Sequence, residues 1–180
     1  MSLKKDLLGM IHKSAYRKGK FKLSSGIESE HYVNCKPVTL NGGGLSLTCM
    51  LLLDLIPAGT KAVGGLTLGA DPLVAGMALM GNYNGLIVRK EPKGHGTGAW
   101  IEGPTLEKGS QVVVLEDVIT TGGSAIKAVE KIRDAGYEVN TILSIVDRQE
   151  NGEATKLMEE NDIKLRSLLT IGEIATYKPG

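Results

Sequence analysis

The chain predicts an α/β fold, a mostly parallel central sheet with helices on both faces and a small hood formed by its N-terminal part. From residue 62 onward, short aliphatic and β-branched runs alternate with helical-period segments of roughly ten to fifteen residues, the signature of strands joined by crossover helices. Charged residues cluster directly after those runs, at the strand ends where open parallel sheets bind ligands. The first forty residues break the alternation, which makes them a cap rather than part of the sheet. With 180 residues, 42% of them hydrophobic, the chain suits a single domain with one substantial core.

Taken in order, Leu3, Leu7, Met10, Ile11 and Ala15 fall at helical spacing between lysines, so residues 3–18 read as an amphipathic helix. Residues 21–23 and 31–40 read as short strands around the turn Ser24-Ser25-Gly26. A loop over 41–44 precedes a buried helix over 45–56, LSLTCMLLLDLI, ended by Pro57. A strand over 62–67 is followed by a helix over 71–80 with Pro72 in its first turn, where the missing N–H costs nothing. Residues 85–89 form a strand, and 90–107 are irregular and glycine-rich. Val112, Val113, Val114 and Leu115 form the next strand, and a helix over 124–135 closes at Gly136. A strand over 141–146, a helix over 153–161 and a strand over 165–169 complete the alternation. The tail IGEIATY adds a helical turn or two.

A net charge of +1 draws the protein neither to nucleic acid nor to a membrane surface, so any basic character is local. Cys35 and Cys49 have neither redox nor zinc spacing and read as reduced thiols. The N-terminus lacks the apolar run and cleavage site of a secretory signal. The longest apolar run, 49–53, is far too short to span a bilayer. These features predict a cytoplasmic protein.

The stretch QVVVLEDVITTGGS, residues 111–124, carries the first chemistry. An apolar strand delivers Glu116 and Asp117 to the sheet edge, and a loop of small and hydroxylated residues then opens a helix. Such a loop aims backbone N–H groups at an anion, and the helix N-terminus adds partial positive charge. No G-x-x-x-x-G-K-[ST] or strand-borne G-x-G-x-x-G is present, which excludes the two commonest phosphate motifs. Carboxylates beside a phosphate cradle repel unless sugar hydroxyls or a metal lie between. A ribose 5-phosphate unit fits, its phosphate on the loop amides and on Thr120, Thr121 and Ser124, its diol on Glu116 and Asp117. From loop composition alone, a plain strand-to-helix turn with solvated acids stands equally open.

Two further stretches sit at strand ends. VRKEPKGHGTG, residues 88–98, sets Arg89, Lys90, Lys93 and His95 among glycines, as a closing anion clamp would. VDRQENG, residues 146–152, sets Asp147 beside Arg148, a pair that by itself reads as a surface ion pair worth little.

LEDVITTGGSA resembles the phosphoribosyl pyrophosphate (PRPP) motif of the type I phosphoribosyltransferases. VRKExKxHGxG and DRQExG together resemble the orotate branch, and the likeness covers roughly residues 21–152. It implies a type I phosphoribosyltransferase fold and transfer of the phosphoribosyl group from PRPP to orotate, giving orotidine 5′-monophosphate and pyrophosphate. PRPP contacts would come from Arg89, Lys90, Lys93 and His95 and from Glu116, Asp117, Val118, Ile119, Thr120, Thr121, Gly122, Gly123 and Ser124. Lys93, His95 and Asp117 would carry the catalytic roles, and Thr120 and Arg148 would bind orotate. Mg²⁺ would enter with the pyrophosphate, with no direct protein ligand. The likeness also implies a homodimer whose lid, residues 90–102, is mobile and reaches the neighbour's site.

FKLSSGIESEHYVNCKPVTL, residues 21–40, resembles the family's F-x-L-x-S-G…Y hood, with the hood as a whole mainly residues 1–40. Two lysines of many members are missing: Ser24 stands at one position, and Leu68-Gly69 replaces Tyr-Lys at the other. Their contacts are either absent or supplied by Lys22 or Lys36. Purine members would need a stacking aromatic near the Arg148 edge, and none is expected there. A purine or uracil phosphoribosyltransferase, or a non-enzymatic regulator binding PRPP or a nucleotide, are the rival readings. The first should lack the lid and DRQExG motifs together, and the second should show a basic face or a degraded lid.

Overall fold

The structure, a computed structural model, describes residues 2–22, 28–93 and 99–179. Helix α1 (Leu3–Ser14) buries Leu7 and Ile11, but it stops short of residue 18. Tyr16 instead opens strand β1 (Tyr16–Lys22), which pairs antiparallel with β2 (Glu28–Val33) from Tyr16 opposite Val33. Aromatic Tyr16 and Phe21 favour a strand, and Gly19 weakens any continued helix. The expected turn Ser24-Ser25-Gly26 lies outside the described residues.

The strand expected over 31–40 ends at Val33, because Pro37 cannot feed a ladder. It starts the short helix α2 (Lys36–Thr39) instead. Helix α3 (Gly42–Leu53) begins inside the glycines expected as loop, since the Asn41 side chain accepts a hydrogen bond from Gly44 N at 3.0 Å and caps the helix.

The main sheet contains β3 (Ala62–Leu66), β4 (Asn84–Val88), β5 (Ile101–Glu102), β6 (Gln111–Ile119), β7 (Glu138–Asp147) and β8 (Lys164–Thr170). Their spatial order is β5-β4-β3-β6-β7-β8, with only β5 antiparallel. The chain runs outward from β3 to β5, returns to β6 beside β3, and then runs outward the other way. The reversal between β3 and β6 is where such sheets open a crevice beyond their carboxyl ends.

Helices α4 (Asp71–Gly81), α5 (Gly123–Asp134), α6 (Glu153–Glu159) and α7 (Ile171–Thr176) complete the fold. Alternation along β6 sorts its side chains between two cores. Val113 and Leu115 join Leu7, Ile11, Val38, Leu52 and Leu73 on one face. Val112 and Val114 join Ala128, Ile132 and Met158 of α5 and α6 on the other.

Candidate active site

Strand β6 extends four residues beyond the expected Leu115, because β7 keeps pairing with it: Val118 lies opposite Val146 and Ile119 opposite Asp147. Glu116 and Asp117 therefore stand inside the sheet ladder rather than on a loop, and their spacing is fixed by it. Glu116 is only 7% exposed. Burial, and next the neighbouring Asp117 charge, push its carboxyl well above the usual range. Asp117 Oδ1 accepts a hydrogen bond from Val118 N at 2.9 Å, and Lys36 Nζ approaches its Oδ2 at 3.9 Å.

Past Ile119 the chain turns through Thr120, Thr121 and Gly122 into α5. Gly122 has φ +81°. A Cβ there would also press on the end of the Met158 side chain of α6, but it is the left-handed φ that requires glycine. No side chain caps the start of α5, which leaves its first N–H groups available to an anion. Glu116, Asp117, the loop through Ser124 and Arg148 line one cleft of about 390 Å³.

Arg148 follows β7, and its Nη2 and Nε donate to Thr120 Oγ1 at 2.9 and 3.2 Å. The segment behind it is pinned: Gln149 N donates to Asp147 Oδ1 at 2.9 Å, and Gln149 Oε1 accepts from Thr155 N at 2.7 Å. Partial burial lowers the Arg148 pKa, but a guanidinium stays charged. The hood closes the opposite wall with Lys22, Tyr32, Val33, Asn34 and Lys36. Ser29 Oγ donates to Glu150 Oε1 at 2.9 Å and ties the hood to the Arg148 segment.

Tyr32 overturns one expectation, for an aromatic ring does stand at the cleft beside Arg148. It comes from the hood, distant in sequence from the edge it lines. Asn34 was not singled out in the sequence; only its place in the hood segment pointed to it.

The lid cations are placed differently. Arg89 Nη1 pairs with Glu102 Oε1 at 3.2 Å. Arg89 and Lys90 line an adjacent cavity with Trp100, Lys127 and Lys131, which shares Ser124 with the main cleft. Lys131 Nζ sits 4.5 Å over the Trp100 ring. Among the described residues of 90–107 only the two-residue β5 is regular, as the glycine-rich stretch suggested, but contacts tie the ends of the loop: Val88 pairs with Ile101, Arg89 N donates to Trp100 O at 2.8 Å, and Lys93 N to Ala99 O at 3.1 Å. The Lys93 side chain is exposed, and His95 lies outside the described residues.

An anion cradle, an acid pair in the neighbouring ladder and a sheet reversing at that point define a type I phosphoribosyltransferase. No family model matches the chain. It is 51% identical over 180 residues to the orotate phosphoribosyltransferase of Thermosynechococcus vestitus, covering 97% of this chain and 94% of that one. Among solved structures, the Mycobacterium tuberculosis orotate phosphoribosyltransferase bound to inorganic phosphate matches with a TM-score of 0.81 and 31% identity, covering 96% of this chain and 98% of the other. The same enzyme in complex with PRPP matches at 0.80 and 30% identity, with coverages of 97% and 99%. The chain belongs to the orotate phosphoribosyltransferase family.

Proposed function

We infer that the protein transfers the 5-phosphoribosyl group of PRPP to orotate, giving orotidine 5′-monophosphate and pyrophosphate in pyrimidine nucleotide synthesis. The observation that carries this reading is one cleft holding the uncapped start of α5, the acid pair and Arg148. The N–H groups of residues 121–124 hold the 5-phosphate. Glu116 and Asp117 face the ribose hydroxyls and favour the cationic ring that forms as the C1–O bond loosens. Arg148 grips the orotate carboxylate with Thr120 beside it, and the ring nitrogen of orotate attacks C1. As the N1–C1 bond forms and the C1–O bond breaks, the N1 proton of orotate passes to the departing pyrophosphate or to water, so no side-chain base is required.

Arg89, Lys90, Lys93 and His95 belong to the leaving pyrophosphate. Arg89 is paired with Glu102, so it must exchange that exposed partner to meet pyrophosphate, which exposed ion pairs permit at little cost. Excluding water protects the ribosyl cation, and a lid spanning residues 90–102 would do so. The same reading makes residues 1–180 one catalytic domain under a hood formed mainly by residues 1–40.

Mg²⁺ fits as an ion carried by the donor. Among the described residues no group of three or more His, Cys, Asp or Glu could hold a metal. Phosphate and ribose oxygens and water would supply its ligands, and the ion would neutralise diphosphate charge. We further assign a homodimer that shares the lid. Exposed Met50, Leu79 and Met80 on α3 and α4 are apolar surface that such a pairing could cover. A reducing cytoplasm suits the buried free thiols of Cys35 and Cys49. No helix among the described residues is long and apolar enough to cross a membrane.

The deciding experiment follows loss of orotate absorbance with PRPP and Mg²⁺ for the wild type and Arg148→Ala. The wild type should turn over only with orotate present. Losing a charge-assisted pair should lower kcat/KM for orotate by about 10²-fold in the variant. No orotate-dependent turnover would overturn the function, whereas an unaffected variant would overturn only the role of Arg148.

A further inference from the structure

The acid pair poses an electrostatic problem, because a donor carrying three phosphates must enter a cleft already occupied by carboxylates. Three described cations line that cleft: Lys22, Lys36 and Arg148. Arg148 is committed to Thr120 through two hydrogen bonds. Lys36 is the cation paired with Asp117 among the described residues, with 3.9 Å between Nζ and Oδ2.

Its backbone is held firmly while its head stays partly exposed. Cys35 before it is fully buried, with Sγ 3.8 Å from Asp117 O, and Val38 after it is 1% exposed. Lys36 N donates to Asn34 Oδ1 at 3.2 Å. The side chain remains 38% exposed, so a fixed stem presents a partly exposed ammonium to the cleft. The other flank of Asp117 is closed: a Cβ on Gly69 would lie 2.7 Å from Asp117 Oδ1, so Gly69 brings only backbone to this carboxylate.

We propose that Lys36 is a donor-binding residue whose ammonium stands between Asp117 and the anionic oxygens of PRPP, letting an acid pair and a polyanion share one cleft. The assignment rests on PRPP as the donor. A long, half-exposed ion pair adds little to folding, so removing the charge should leave the protein intact.

The test compares the wild type, Lys36→Met and Lys36→Arg in steady-state kinetics with PRPP and orotate varied separately, and in calorimetry with PRPP and Mg²⁺. Lys36→Met should raise both the KM and the Kd for PRPP by about ten-fold or more, as loss of one charge-assisted contact does. Its KM for orotate should stay near the wild-type value, and Lys36→Arg should recover most of the loss. Added salt should weaken PRPP binding less in Lys36→Met than in the wild type. Unchanged PRPP constants in Lys36→Met, an equal rise in both KM values, or no recovery by arginine would overturn the proposal while leaving the orotate reaction standing. A wild type that neither binds PRPP nor consumes orotate would overturn both.

Discussion

At the scale of single residues, the acid pair is asymmetric. Glu116 is buried while Asp117 is the partner with a cation nearby, so burial disfavours charge on Glu116. Asp117 and Lys36 face Glu116 directly, with Cys35 and Arg148 beyond them. A raised carboxyl pKa means that the folded state binds a proton the unfolded chain releases. The stability from Glu116 is therefore full below the ordinary carboxylate range near pH 4–5 and is lost as pH rises toward its raised value. Glu116→Gln keeps an oxygen to accept from Asp117 N and removes the titration. Its stability relative to the wild type should be near zero at pH 5 and should rise by about 2–4 kcal/mol at pH 9. Urea denaturation of both proteins at the two pH values measures this, and parallel stability–pH curves would refute a proton held on Glu116. Pairing of Glu116 and Asp117 beside a phosphate loop was legible from their order in the chain. Their unequal burial was not, because it depends on α2 and the hood packing against β6.

At the scale of elements, periodicity located the helices and strands of the alternating region, and tertiary pairing moved their ends. Strand β6 runs on through two acids because β7 holds them in register, and β5 exists because β4 offers it an edge. Neither partner is visible in a local window. Strand β3 shows the same point in reverse, since Gly64 and Gly65 are poor strand formers in isolation. A Cβ on Gly65 would run into Ala70 Cβ at the start of α4 and lie 2.6 Å from Leu115 O, so glycine lets β3 lie against both α4 and β6 at the reversal point. Gly65→Ala should force the two strands apart, cost about 1–3 kcal/mol, and displace the acid pair that follows Leu115. Thermal denaturation should show the loss, and PRPP titration calorimetry should show weakened binding. Normal affinity in a destabilised variant would mean that the β3–β6 contact serves folding alone.

For the whole molecule, the reversal between β3 and β6 gathers strand ends from four parallel strands on one edge. This is why motifs far apart in sequence share a cleft. The hood supplies the rest, and it is not a detachable lid over a finished sheet. Leu7, Ile11, Cys35 and Val38 are at most 1% exposed and lie in the same core as Val63, Val113 and Leu143 of the sheet. Burying four such side chains contributes roughly 6–12 kcal/mol, comparable with the about 5–15 kcal/mol that holds a whole domain together. Deleting residues 1–40 should therefore leave a chain that cannot fold, rather than a stable sheet with a weakened site. Far-ultraviolet circular dichroism of the truncated chain during urea titration tests this, with no cooperative transition expected. A sharp transition in residues 41–180 alone would make the hood a separate unit, and the cleft would then open by hood movement instead of by the lid.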